Sequence, residues 1–152
     1  MDWRADRIGS ALRGENPTVL ARLPGAFAVI GDVQFLPGYC VLLADDPAAT
    51  RLSDLAPATC AAYLTSMARL GAAVERACAE LDPAFSRVNL EILGNTDPFL
   101  HCHVWPRYTW EPDDIRPGPV WHHPRERWSD PTTALGERHD ELRRRITAHL
   151  GI

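Results

Sequence analysis

The chain has 152 residues, of which 45% are hydrophobic and 24% charged, with a formal net charge of −4. These proportions fit one globular domain able to bury its own core. They exclude wholesale disorder, a collagen-like chain, a disulfide-stapled miniprotein and a membrane span. All sixteen basic side chains are Arg, which excludes chemistry that needs a lysine amine. No basic stripe offers a nucleic-acid backbone a surface, so nucleic acid is not an expected partner.

In chain order, Asp2 to Arg13 carries Trp3, Ile8 and Leu12 near helical spacing and stops at Gly14, which predicts a short amphipathic helix. The amino terminus has no apolar leader-like run, so the expected location is the cytoplasm. Cys40, Cys60, Cys78 and Cys102 are expected to be reduced there. Phe27 to Asp32 and Tyr39 to Ala44 are β-rich and are joined through Pro37-Gly38, the signature of an antiparallel hairpin. From about Pro57 to Leu81, Tyr63, Met67, Leu70, Val74, Cys78 and Leu81 recur at steps of four and three. That stripe is the packing face of a long helix.

Two more β-like segments, Arg87 to Leu93 and Leu100 to Arg107, flank the turn formers Gly94-Asn95-Thr96-Asp97-Pro98. Residues 109–134 are rich in Pro, hold Trp110, Trp121 and Trp128, and lack periodicity. This stretch is a candidate for dimer contacts or for a wall of the site, or else simply covers the sheet. Glu137 to Leu150 closes the chain as a helix with Leu142, Ile146 and Leu150 on one face. With no repeat and no linker, residues 1–152 read as one α+β domain.

The concentrated chemistry lies at His101-Cys102-His103. Alternation on a strand puts both imidazoles on one face, roughly 6.5–7 Å apart along the chain, and turns Leu100, Cys102 and Val104 to the other. Two chemistries suit such a pair. One is metal binding, with His122, His123 or Cys102 completing the shell, although Cys102 points away on a regular strand. The other is transfer at phosphorus with a neutral imidazole as nucleophile, the phosphate oxygens being met by Asn95, Arg107 and backbone amides.

The stretch Leu93-Gly94-Asn95-Thr96-Asp97-Pro98-Phe99-Leu100-His101-Cys102-His103-Val104-Trp105-Pro106-Arg107-Tyr108 resembles the signature of the histidine triad (HIT) superfamily, His-φ-His-φ-His-φ-φ. It is most similar to the bacterial branch described as diadenosine tetraphosphate hydrolase-like. The likeness covers about residues 20–120, and Phe99 stands where the family has its first histidine. The resemblance implies an antiparallel sheet of about five strands with helix 57–81 packed on it, and a homodimer. It also implies a nucleotide substrate and no required cofactor, though a divalent cation can accompany the nucleotide. His101 takes the place of the family's nucleophile, which forms a nucleotidyl-histidine. His103 takes the place of the third histidine, expected to lie near the scissile phosphate and to orient the nucleophile through its backbone carbonyl. Asn95 is implied to face the phosphate, Asp32 to hold ribose hydroxyls, and the Phe99 ring to border the nucleotide. Three functions follow: a nucleotide hydrolase or nucleotidyl transferase, a non-catalytic nucleotide-binding protein, or a metal-dependent enzyme built on His101 and His103.

Overall fold

The computed structural model describes residues 2–152. Five strands, β1 (Val19–Leu23), β2 (Ala26–Ile30), β3 (Cys40–Ala44), β4 (Phe85–Ile92) and β5 (His101–Tyr108), form one antiparallel sheet in the order β1-β2-β3-β5-β4. Four of them fall on the segments expected from sequence. The fifth, β1, completes the sheet of about five strands that the resemblance implies, on a segment whose sequence shows neither the helical nor the strand period clearly. It exists by pairing with β2 across the Pro24-Gly25 turn, where Gly25 takes φ +75°.

Helix α2 (Pro57–Leu81) crosses from β3 to β4 and lies on one face of the sheet. Tyr63, Leu70, Val74 and Cys78 of the predicted stripe are buried there, against Leu42 of β3 and Leu100, Cys102 and Val104 beside and within β5. Each fully buried aliphatic side chain of this layer contributes about 1.5–3 kcal/mol. The Tyr63 hydroxyl donates to the Leu42 carbonyl at 2.9 Å, so the largest polar group on the stripe is satisfied. Leu81 departs from the expectation: it is the last residue of the helix and is 40% exposed. Helix α3 (Asp140–His149) packs on α2, and its Leu142 and Ile146 join the same core.

The opposite face of the sheet is only partly covered. At the amino terminus a 3₁₀ turn, Trp3–Asp6, leads into α1 (Arg7–Leu12), rather than one continuous helix. The break is local, because the Asp6 carboxylate accepts from Gly9 N at 2.9 Å and starts a new helix. Ile8 and Ala11 of α1 then sit on Phe27, Val29 and Leu43. Residues 109–134 run along the other side of this face as short 3₁₀ turns. They are tied to the sheet by Gln34 N to Thr133 O at 2.7 Å and Leu135 N to Asp32 O at 2.9 Å. Among the described residues no helix is long and apolar enough to cross a membrane, and the four cysteines are unpaired.

The turn before β3 is held from both faces. Gly38 N donates to the Gln34 side chain at 2.9 Å, and the Cys78 thiol reaches the Pro37 carbonyl at 3.5 Å. Gly38 adopts φ +102°, and a β-carbon there would overlap the Cys78 sulfur. Gly38→Ala is therefore expected to lower unfolding free energy by roughly 1–3 kcal/mol in urea titrations. Gly136→Ala, at an extended position with open space around it, should leave the transition unchanged.

Candidate active site

Strand β5 lies between β3 and β4, with Leu43 paired to His101, and Val41 on one side and Glu91 on the other paired to His103. Leu100, Cys102 and Val104 go to the α2 core, while His101 and His103 turn to the partly open face, as alternation requires. The two rings lean toward each other, with centroids 4.8 Å apart and planes at 78°.

His101 is 5% exposed, and its Nδ1 lies 2.7 Å from the Phe99 carbonyl oxygen. A carbonyl only accepts, so Nδ1 carries the proton and the lone pair of the neutral ring sits on Nε2. The orienting carbonyl is thus that of Phe99, not that of His103 as the resemblance implied. Two residues back along a strand is where a carbonyl can meet the ring of the residue on the same face. The Phe99 ring is half-buried, 4.6 Å from that of His101, and lines the cleft.

His103 Nδ1 is 2.8 Å from the Tyr39 hydroxyl. Burial pushes its pKa down to about 4, with His101 adding a smaller push in the same direction. The ring is neutral at pH 7. The direction of the Tyr39 bond follows the His103 tautomer, and whichever way it runs it fixes the ring against the cleft.

These rings line a cleft of about 740 Å³, within the usual range for a small-molecule site. One wall is α1 with the end of β2. There Arg7 makes a two-point contact with Asp32 at 2.7 and 3.2 Å, and Arg4 adds a third at 3.4 Å. Asp32 lines the cleft, and its carboxylate is already engaged. Burial disfavours the Arg7 cation, yet pairing with Asp32 outweighs this and raises its pKa. Asn95 lines the cleft from the exposed turn between β4 and β5. The opposite wall carries Trp121, His123, Arg125 and Trp128 from the 109–134 segment.

Arg107 corrects an expectation. It does not line this cleft: 4% exposed, its Nε donates to both Glu111 carboxylate oxygens at 3.0 Å, and Nη1 reaches Asn89 and the Gly118 carbonyl. Nη2 stands 2.9 Å from Glu111 Oε1 without hydrogen-bond alignment. Glu111 also accepts from Tyr108 N at 2.7 Å and from His123 Nε2 at 2.8 Å. Burial alone would raise the Glu111 pKa, but these donors overcome it and hold the carboxyl below its ordinary value. Trp110 likewise sits elsewhere, stacked on Tyr108 at 4.8 Å. Cys102 is buried in the α2 core. Among the described residues no three His, Cys, Asp or Glu side chains converge to hold an ion, so His101 and His103 have no third ligand.

Sequence reasoning missed Arg7, Tyr39 and Arg125. Tyr39 was within reach, since it shares the alternation of Val41 and Leu43 toward this face. Arg7 and Arg125 carry no local signal.

A sheet in this order, with a long helix on one face and a histidine pair on the other, is the fold of the histidine triad proteins. No protein-family model and no curated protein matches the sequence. Solved structures do. A histidine triad protein from Sinorhizobium meliloti is 20% identical, with 98% of this chain and 95% of that one covered and a TM-score of 0.71. One from Marinobacter aquaeolei is 19% identical over 88% of each chain, with a TM-score of 0.70. A hypothetical histidine triad nucleotide-binding protein from Sulfolobus tokodaii is 14% identical over 95% of this chain and 91% of that one, with a TM-score of 0.67.

Two measurements test this environment. His103 binds a proton near pH 6.5 when unfolded and near pH 4 when folded, so between these values the unfolded chain holds more protons. Its contribution to stability is complete above about pH 6.5 and falls as the solution is acidified toward pH 4. His103→Gln should flatten that part of the stability–pH curve. Arg107→Ala leaves the Glu111 carboxylate buried beside His123 without its guanidinium, and should cost about 3–5 kcal/mol in denaturant unfolding.

Proposed function

We propose that the chain belongs to the histidine triad superfamily and is a nucleotide hydrolase or nucleotidyl transferase that works through a nucleotidyl-histidine on His101. The observation that carries this reading is the Phe99 carbonyl on His101 Nδ1, which holds a proton on that nitrogen and so, in the neutral tautomer, leaves the lone pair on Nε2 of a buried ring at the cleft. Nε2 attacks the α-phosphorus of a phosphoanhydride, forming a P–N bond as the P–O bond to the leaving phosphate breaks and its electron pair stays on that oxygen. Water then attacks the same phosphorus, the P–N pair returns to Nε2, and a nucleoside monophosphate leaves with the proton released to solvent. His103 and Asn95, both lining the cleft, meet the phosphate oxygens on this reading. Asp32, oriented by Arg7, keeps lone pairs for ribose hydroxyls, because a carboxylate accepts about four hydrogen bonds.

A substrate in the class of dinucleoside polyphosphates follows from the branch the motif resembles, with any divalent cation entering on the polyphosphate. A homodimer is supported by β4, an edge strand whose Leu90 is 41% exposed. The second reading, a nucleotide-binding protein with little turnover, is favoured by two features: Phe99 in place of an imidazole, and the occupied Asp32 carboxylate.

Phe99 supplies no proton acceptor for the water, and His103, with a pKa of about 4, is a weak base. General acid–base help of this kind is worth about 10²–10⁴-fold, so the second step is expected to be slow. Rapid quench with a labelled dinucleoside polyphosphate should give a burst approaching one nucleotide per site, with label trapped on the protein. His101→Ala should abolish both burst and turnover while keeping nucleotide affinity. A linear course with no trapped label, together with measurable nucleotide binding, would favour the second reading.

A further inference from the structure

The wall formed by Trp121, Arg125 and Trp128 plays no part in the chemistry above. We propose that Trp121 is a stacking platform for a planar aromatic group on the leaving side of the substrate, which selects nucleotides linked through phosphates to a second base. This rests on the reading of His101 as nucleophile and goes beyond it by assigning the residue that recognises the second base.

Sheet order supplies the first support. Asp32 follows β2, two strands from β5 on one side. Trp121 Nε1 donates to Glu91 of β4, on the other side, at 2.5 Å. The imidazole row therefore lies between the Asp32 wall and the Trp121 wall. A nucleoside seated at Asp32 with its α-phosphate at His101 directs the rest of the molecule toward Trp121.

The state of the indole supplies the second. It is stacked on Trp128, with centroids 5.3 Å apart and planes at 12°, and stands edge-on to His103 at 5.2 Å and 79°. With Glu91 on its nitrogen it is fixed before any ligand arrives, so little rotamer freedom remains to be lost on binding. It is nevertheless 41% exposed, whereas Trp105, which fills the layer beneath it, is 0% exposed. A backed indole that is partly exposed where it lines the cleft suits a base, since every base presents a π-face to stack. Arg125 lines the same wall and makes no ion pair or hydrogen bond among the described residues, leaving its guanidinium free for the phosphate chain.

The test compares diadenosine tetraphosphate with adenosine 5′-tetraphosphate, which share the phosphate chain and differ by the second adenosine. In Trp121→Leu the ratio of their kcat/KM values should fall at least about tenfold against the dinucleotide. Trp121→Phe, which keeps a ring, should restore most of it. An unchanged ratio overturns the platform even where both rates drop together, because a general packing role of Trp121 would do that. If the wild type cleaves neither compound, the His101 reading fails, and the same ratio is read from dissociation constants. A tenfold loss of preference in Trp121→Leu then sustains the platform, and an equal preference in wild type and variant overturns it.

Discussion

A strand buried on both faces must satisfy two environments with alternate residues, and β5 does so with opposite chemistries. Cys102 and Val104 complete the apolar layer under α2, while His101 and His103 stand in the cleft. Slipping β5 by one residue would bury two imidazoles against Leu70 and Val74 and expose two apolar side chains, so the core itself enforces the register that builds the site. The strand also brings its own orienting group. The Phe99 carbonyl meets His101 Nδ1 at 2.7 Å, and since it is backbone, replacing the side chain at 99 leaves that contact available. On the proposed reading, Phe99 in place of an imidazole is therefore compatible with a nucleophile held in position at His101.

The second wall depends on a buried charge cluster. Residues 109–134 have few periodic apolar contacts with which to dock, and no regular helix or strand. Arg107, Glu111 and His123 supply the anchor: one carboxylate accepts from a β5 guanidinium, a backbone amide and the imidazole that lines the cleft. Removing two charges from water is expensive, and such a pair is seldom worth more than well-packed apolar side chains of similar volume. What it provides is position, because a carboxylate shared by three donors has one satisfactory place. Val120, fully buried beside Phe35 and Trp105, fixes the next turn, and Trp121 and Trp128 follow from it.

Most of the fold was legible because two periods dominate it. The stripe from Tyr63 to Cys78 marked α2, and the alternation from Leu100 to Val104 assigned both faces of β5 before any coordinate. β1 escaped because Val19–Leu23 shows neither period clearly and is made a strand by its partner. The site was legible only where it is local. His101, His103 and Phe99 lie within five residues, whereas the Arg7–Asp32 pair spans twenty-five and nothing in either segment announces the other. Arg107 misled for a related reason. Next to a histidine motif an arginine reads as a phosphate ligand, and only the return of the chain at Glu111 shows the charge to be engaged inside the fold.

On the proposed reading, the substitution at 99 and the aromatic wall bear on one question, the nature of the leaving group. An amine leaves as a strong base and needs a proton in the transition state, whereas a phosphate leaves as an anion that is stable at neutral pH. Phe99 offers no proton, and His103 at a pKa of about 4 carries too little of its cationic form at neutral pH to supply one efficiently. The pair is therefore better matched to a phosphate leaving group than to an amine. The Phe99 ring, 4.6 Å from that of His101, sets an apolar surface beside it, and a lower local dielectric strengthens hydrogen bonds offered to a phosphate there. A site so built is selective by omission: it keeps the parts that attack and bind, and relies on the substrate to bring a leaving group that needs no help.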